Sequence, residues 1–507
     1  MIHAHSSTPS QRVHWVSHLL AHSGSYGEVS HLSQMIGVSR QTLYRWKATG
    51  QAALEQALRP VSTPARTESN GQIERAILTL LVEGHASYRG IQRCLWVLLG
   101  VQVSVGKIAA VVQSAGQRAQ QWMSRQVPAT ARGLALDELY GSRHGEAYLN
   151  VVDVHSGAVW ASTSPVGVDG ESWTLLLWEL EGQGVHWDTT VSDGGRAIEE
   201  AVGTVTPQQP HQRDVWHVLH SCQQVQARLE RQVAERQQRT PVVARQAARL
   251  AAGKRPRGKC PQTDVAAHAA DLAQAQYACE GLRYLAGELR HLLGVVVLTA
   301  QGVMPSCVRQ GELEALLALL DELSQVAPEA MQHELVRLVT LLGAALPQLV
   351  LFAPGLDALQ DQACQALGPS TLHLLGWAWQ RRAILGPTTK ELLDSVPADW
   401  RPVAAPLLAA WEAAVRASSA VENWHSVLRP YLAVHRRLSS GMVALLAVWH
   451  NHRIAERGLH RGQSPLMRSG MTQASPDWLV ALGYPPYGGV YSPVPLVDSQ
   501  PTLALAA

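Results

Sequence analysis

Apolar positions repeat with a helical period at both ends of the chain and with a strand-like period between them. Residues 9–24 place Val13, Val16, Leu19 and Leu20 on one helical face. Residues 31–50, HLSQMIGVSRQTLYRWKATG, read as helix, tight turn and helix, with Gly37 at the turn and Ser39 as N-cap of the second helix. Leu32, Met35, Ile36, Val38, Leu43 and Trp46 form the expected buried side, leaving Arg40, Gln41, Thr42, Arg45 and Lys47 facing outward. A Pro/Ser/Thr-rich stretch over 59–71 reads as a linker. Helices are then expected over 73–82, 88–99 and from 105 to about 123. The turn GVQVS before the last of them echoes GVS in the first unit, so a second helix-turn-helix is expected, against the alternative of a purely structural bundle.

From Leu134 the period changes. LALDELY (134–140), AYLNVVDV (147–154) and AVWASTSPV (158–166) read as strands, the last two joined as a hairpin at His155-Ser156-Gly157. A helix over 171–180, a strand over 189–192, a helix over 196–202 and a strand over 211–215 follow. Residues 219–420 are nearly continuous helical pattern, with helices expected at 266–298, 312–323, 331–346, 371–384 and 403–415. Beyond 472 the chain is rich in Pro, Tyr and Gly and reads as a wrapped or loose tail.

A chain of 507 residues exceeds one compact core, so two to four domains are expected. The six cysteines are scattered with no C-x-x-C pair, which argues against a zinc ribbon and for reduced thiols. No apolar run is long enough to span a bilayer, and the first residues carry no secretion-signal pattern. The net charge of +2 hides a segregation. Residues 1–132 hold 13 Lys+Arg against 5 Asp+Glu, whereas residues 133–221 hold 3 against 13. A basic front end suits a polyanion, and the acidic block calls for cations.

Three acids stand out within that frame. Asp137 closes the first strand, Asp193 follows the strand in TTVSDGG, and Glu422 sits near the start of the helical stretch AVENWHSVLRPYL. Two strand-end carboxylates and one on a helix are what a two-metal phosphoryl-transfer site requires, although acids at strand ends are also common in turns. Glu138 is adjacent to Asp137, so only one of the two can face a given side of a sheet, and Asp153 is a reserve ligand. HQRDVWHVLH contains a D-x-x-H, Asp214 to His217, read as a lock on the start of the next helix, with Trp216 expected in the core. Arg228, Arg231, Arg236 and Arg239 follow on one Arg-rich segment; they are read as phosphate contacts, with pairing to acids such as Glu230 and Glu235 as the alternative.

In this order the motifs resemble the D, D and E of RNase H-like DDE transposases. The D-x-x-H is similar to the C/D-x-x-H signature of the hAT and Mutator-like families, whose cores carry a helical insertion. The tail from Glu422 to Arg453 is similar to the last catalytic and C-terminal helices of bacterial transposases. The resemblance implies an α/β RNase H-like core interrupted by a large all-α insertion and preceded by all-α helix-turn-helix modules. It divides the chain into 1–58 (helix-turn-helix), 59–71 (linker), 72–130 (second helical module), 131–221 (core), 222–417 (insertion), 418–470 (Glu-bearing and C-terminal helices) and 471–507 (tail). In such a sheet the first and fourth strands are neighbours, which would bring Asp137 and Asp193 together.

The implied activity is Mg2+-dependent (Mn2+ possible) cleavage and strand transfer, with two ions held by Asp137, Asp193 and Glu422. The implied partner is double-stranded DNA, bound as a homo-oligomer at element ends and target, with no membrane, in a bacterial cytoplasm near the nucleoid. Arg40, Gln41, Thr42, Arg45 and Lys47 are the expected base and phosphate contacts of the first module, and Arg89, Arg93, Lys107, Arg118 and Arg125 the phosphate contacts of the second. A metal-dependent nuclease that cuts without joining, or a catalytically dead DNA-binding regulator, are the alternatives.

Overall fold

The structure is a computed structural model that describes residues 7–22, 27–58, 70–126, 131–141, 143–255, 262–300, 302–385, 388–458, 460–471 and 476–486. Of the expected linker over 59–71, residues 59–69 lie outside the described residues and 70–71 are helical; most of the cationic run at 254–259 and residues 472–475 and 487–507 of the tail also lie outside them. The chain forms two compact units, Met1–Ile73 and Glu74–Ala507.

In the first unit α1 (Pro9–Ala21), α2 (Glu28–Ile36) and α3 (Arg40–Leu58) enclose Leu19, Leu32, Ile36, Val38 and Leu43. Gly37 adopts φ 72°, which ends α2, and the Ser39 hydroxyl accepts the Thr42 N–H at 3.2 Å to start α3. Trp15 stacks on Trp46 with centroids 6.2 Å apart. Met35, expected inside, is 66% exposed. Leu32 and Ile36, one turn apart, already occupy the inward face of this nine-residue helix, and Met35 lies about 100° away from Ile36 around it.

The second unit begins within α4 (Asn70–Val82), from Glu74 on, and continues with α5 (Tyr88–Leu99) and α6 (Val105–Met123). A mixed sheet follows, built from β1 (Ala131–Tyr140), β2 (Glu146–Asp153), β3 (Val159–Ser162), the two-residue β4 (Val166–Gly167), β5 (Trp187–Ser192) and β6 (His211–Arg213). Its order is β3-β2-β1-β5-β6, with β4 beside β2. β1, β2 and β3 form an antiparallel meander, while β5 runs parallel to β1 and β6 parallel to β5. The parallel steps need crossovers, supplied by α7 (Gly170–Gly182) before β5 and α8 (Arg196–Val205) before β6. One face of the sheet (Leu134, Leu136, Leu149, Val151, Trp160) packs on Trp173, Leu177 and Leu180 of α7 and Ile198 and Ala201 of α8. The run expected at 158–166 is therefore two pieces, β3 and β4, separated by a bend.

The opposite face is covered by two helices from far along the chain, α17 (Ser419–His435) and α18 (Ser440–His452). Between β6 and these lies a helical stretch of α9 (Val215–Ala251), α10 (Val265–Leu292), a hairpin of β7 (Leu298–Thr299) and β8 (Gly302–Val303), α11 (Ser306–Val326), α12 (Glu329–Leu349), α13 (Pro354–Leu367), α14 (Pro369–Leu385), α15 (Thr389–Ser395) and α16 (Arg401–Ala413). Two cores hold it: α9–α12 around Leu229, Leu282, Leu320 and Leu338, and α13, α14 and α16 around Leu356, Trp379, Leu407 and Trp411. The helix expected at 266–298 stops at Leu292, and its last residues turn into the hairpin.

The chain then returns through α17 (Ser419–His435) and α18 (Ser440–His452), followed by the short α19 (Pro465–Arg468) and α20 (Trp478–Ala481). α6 crosses α18 where Gly116 and Gly441 meet backbone to backbone; a Cβ on Gly116 would lie 2.9 Å from the Gly441 Cα. Tyr431 and Trp449 donate to the Val82 carbonyl and the Glu83 carboxylate, both at 2.5 Å, so the end of α4 is tied to α17 and α18. Among the described residues no single helix is long and apolar enough to cross a membrane. The bent pair α12–α13 passes that test jointly, but Met331, Leu335, Leu338 and Leu342 of α12 are buried in the bundle core.

Candidate metal centre

The parallel pairing of β1 and β5 fixes where the first two acids emerge. Ala135 pairs with Val191, so two residues further on Asp137, still inside β1 and paired with Asn150 of β2, and Asp193, just past the end of β5, lie at the same end of the parallel pair. β1 itself runs on to Tyr140, so Asp137 is not at the strand end that the sequence suggested. Asp137 is only 8% exposed. Burial, and next the neighbouring Asp193 carboxylate, push its pKa up to about 7, against the stabilising 2.8 Å bond from the Glu138 N–H. Glu138 points to the other face, where Trp173 donates its indole N–H to Oε1 at 2.9 Å. Burial raises the Glu138 pKa as well, and Asp193 adds to the rise.

α17 brings in the third acid. Glu422 lies in its first turn, and ligand atoms of Asp137, Glu422 and His425 all fall within 4.8 Å of one another. Nδ1 of His425 is 3.8 Å from both Asp137 Oδ2 and Glu422 Oε2, and Arg429 approaches Glu422 at 3.2 Å. Asp193 stands beside this group rather than inside it. Its Oδ1 accepts the Gly195 N–H at 2.8 Å, and its charge acts on both Asp137 and Glu138. The turn that carries it depends on Gly194, whose φ of 78° disfavours any side chain and over which the Arg213 guanidinium lies, so that a Cβ would have to push it aside.

Asp214 caps α9 by accepting the Trp216 N–H at 2.6 Å. Its other oxygen accepts from His217 Nδ1 at 3.0 Å, from the Ser418 N–H at 3.0 Å and from the Ser418 hydroxyl. Burial pushes the Asp214 pKa up, but the bonds from His217 and Ser418 outweigh it and hold the group below its ordinary value. The Asp214 bond raises the His217 pKa, with Asp193 and Asp137 contributing further. The D-x-x-H therefore lies at the edge of the acidic group.

Several expectations change. Asp153 is not at this site: it pairs with Leu134, three residues before Asp137 on β1, and its Oδ1 is taken by the N–H groups of His155 and Ser156 and the Ser156 hydroxyl. Trp216, expected in the core, is 52% exposed and stacks on His220, with ring centroids 4.9 Å apart; as the second residue of α9 it faces out while Val215 and Val218 face in. On α9, Arg228 pairs with Glu334 at 2.6 Å and Arg236 with Asp271 at 2.8 Å. Those acids come from α12 and α10 rather than from Glu230 or Glu235, and Glu230 is matched with Arg283. Arg231 and Arg239 are exposed on the same helix.

In the first unit Arg40, Gln41 and Arg45 are exposed, with Thr42 and Lys47 half-buried. Arg89, Arg93 and Lys107 are exposed in the second unit, Lys107 lying 3.9 Å from Glu74. Arg118 donates to the Leu482 carbonyl and lies over Tyr484, and Arg125 is exposed.

Sequence reasoning did not assign His425. The available signal was its spacing of three from Glu422, which puts both on one helix face. The donor set suits a hard divalent cation, because carboxylate oxygens from β1 and α17 converge and Asp193 stands alongside. The raised pKa of Asp137 comes first from burial and next from the charge of Asp193, and a cation would offset the second. No known protein-family model matches the chain, and no curated protein sequence matches it.

Proposed function

We propose that this protein is a DNA transposase of the DDE type, with an RNase H-like core, that binds element ends through its first unit and performs metal-dependent cleavage and strand transfer. The observation that carries the reading is the approach of Asp137 and Glu422 within 4.8 Å, with Asp193 beside them, at one end of the sheet. These are the three acids that the sequence singles out by their order and their placement on the expected strands and helix. The strand order, a meander of three followed by two parallel strands, supports the same reading.

Divalent cations held by Asp137, Asp193 and Glu422 would supply activation of an attacking oxygen and charge stabilisation at phosphorus. The residues themselves do the positioning. Asp137 is fixed by the strand and by the Glu138 N–H. Glu422 is fixed by its helix and by Arg429. Asp214 and His217 hold the start of α9 against the start of α17. In the first unit Gln41 and Arg45, exposed on α3, can each make paired hydrogen bonds to base edges.

A strand-transfer assay tests the reading. DNA from the flanks of the gene, labelled and mixed with supercoiled target, should be cut and joined in Mg2+ by the full chain, and by none of Asp137→Asn, Asp193→Asn or Glu422→Gln. Cutting without joining would place the protein among nucleases instead.

A further inference from the structure

We propose that His425 serves the acidic site as a positioning residue, held by Asn150 with its proton on Nδ1, and is not a third metal ligand. The inference rests on the metal-site reading above and specifies how that site is built.

Asn150 lies on β2, opposite Asp137 on β1, and is wholly buried. Its amide orientation is set by groups that have no choice. The Trp424 indole N–H, which can only donate, points at Asn150 Oδ1 from 2.9 Å, and the Ser162 hydroxyl donates to the same oxygen at 2.6 Å. On the other side the Tyr148 carbonyl, which can only accept, lies 2.8 Å from Nδ2. Flipping the amide would set donor against donor at Trp424 and oxygen against oxygen at Tyr148. The NH2 group therefore faces His425 Nε2 at 3.1 Å. Nε2 must accept, so it carries no proton, and the ring proton sits on Nδ1.

Nδ1 is the atom that lies 3.8 Å from both Asp137 Oδ2 and Glu422 Oε2. An N–H there attracts both carboxylates and offers no lone pair to a cation. At 3.8 Å it is beyond hydrogen-bond reach of either, so the oxygens keep their lone pairs. His425 is 1% exposed and cannot turn away without losing its hydrogen bond from Asn150. The ring thus braces two carboxylates that would otherwise repel, at a separation set by the sheet and α17.

Two measurements on the full-length protein test this. Histidine-selective 15N spectra, with His425→Gln identifying the His425 signals, should show a ring protonated at Nδ1 and bare at Nε2; a ring protonated at Nε2 would overturn the proposal. Pulsed EPR of bound Mn2+ should show no directly coordinated nitrogen from His425 in the wild type. Nitrogen coupling in the wild type that vanishes in His425→Gln would refute the inference while leaving the metal site standing. Mn2+ binding that is indifferent to Asp137→Asn would remove the metal reading, with the tautomer still decided by the 15N spectra.

Discussion

Asp214 and Ser418 lie 204 residues apart in sequence, yet one carboxylate oxygen of Asp214 accepts both the N–H and the hydroxyl of Ser418. The next residue, Val215, donates its N–H to the Arg416 carbonyl at 3.0 Å. The long helical stretch thus leaves and re-enters the sheet region through a closed pair of hydrogen-bonded ends, and the helix bearing Glu422 begins one residue after Ser418.

Asp214→Ala should therefore act on stability and on the site together. It strands the buried Ser418 N–H and hydroxyl and removes the cap of α9, a loss of about 2–5 kcal/mol. Calorimetry should show the second unit melting earlier, while binding of DNA by the first unit is retained. An unchanged melting profile would mean that the pair contributes nothing to the closure.

Gly194→Ala probes the turn that carries Asp193. The substitution meets both a left-handed backbone and the Arg213 guanidinium, so about 1–3 kcal/mol should be lost and Asp193 displaced. Urea denaturation measures the first effect and Mg2+-dependent cleavage the second. Full activity with normal stability would show that the turn yields freely.

The pH dependence follows from Asp137. Its pKa rises on folding from 3.8 to about 7, so the folded metal-free state holds a proton that the unfolded chain releases. This contribution to stability declines as pH climbs from about 4 to about 7 and is constant above. A cation must displace that proton, so Mg2+ or Mn2+ affinity should strengthen toward pH 7 and level off beyond it. Calorimetry in buffers of different ionisation enthalpy should detect about one proton released per site near pH 6 and almost none at pH 8. Release that does not change with pH would contradict the assignment.

Gln41 and Arg45 should contribute sequence preference rather than bulk affinity. Replacing either with Ala is expected to cost about 1–3 kcal/mol of discrimination at one base pair, read by fluorescence anisotropy on flanking DNA and its point-substituted versions. If footprints persist after residues 1–58 are removed, another part of the chain is the reader.

The sequence disclosed the strands because a sheet covered on both faces demands long apolar runs, and β2 is buried almost throughout. It disclosed Asp193 because a strand end is marked by the break in that pattern; Asp137 stood out as an acid in an apolar run, but β1 continues past it to Tyr140, so it is not a strand end. Glu422 depended on the motif order, since a helix acid has no such marker. His425 stayed hidden for a physical reason: its role is set by Asn150, and only the fold brings that strand residue under α17. Trp216 was misplaced because aromatic residues beside apolar ones read as core, and nothing local shows which face of the first helical turn is outward. On the Arg-rich face of α9 the acids that pair were not the local ones named, and Arg231 and Arg239 are exposed. The partners of Arg228 and Arg236 lie on α12 and α10, beyond any local reading.

The most direct test of the central claim, that Asp137, Asp193 and Glu422 hold cations against the reacting phosphate, is a metal-switch measurement. A sulfur placed at a non-bridging position of the scissile phosphate binds the hard Mg2+ poorly and Mn2+ better. Wild-type cleavage of the sulfur-bearing DNA should collapse in Mg2+ and return in Mn2+, with Glu422→Gln inactive in both. Equal rates on the normal and sulfur-bearing DNA with either ion, or Mn2+-dependent cleavage undiminished in Glu422→Gln, would contradict it.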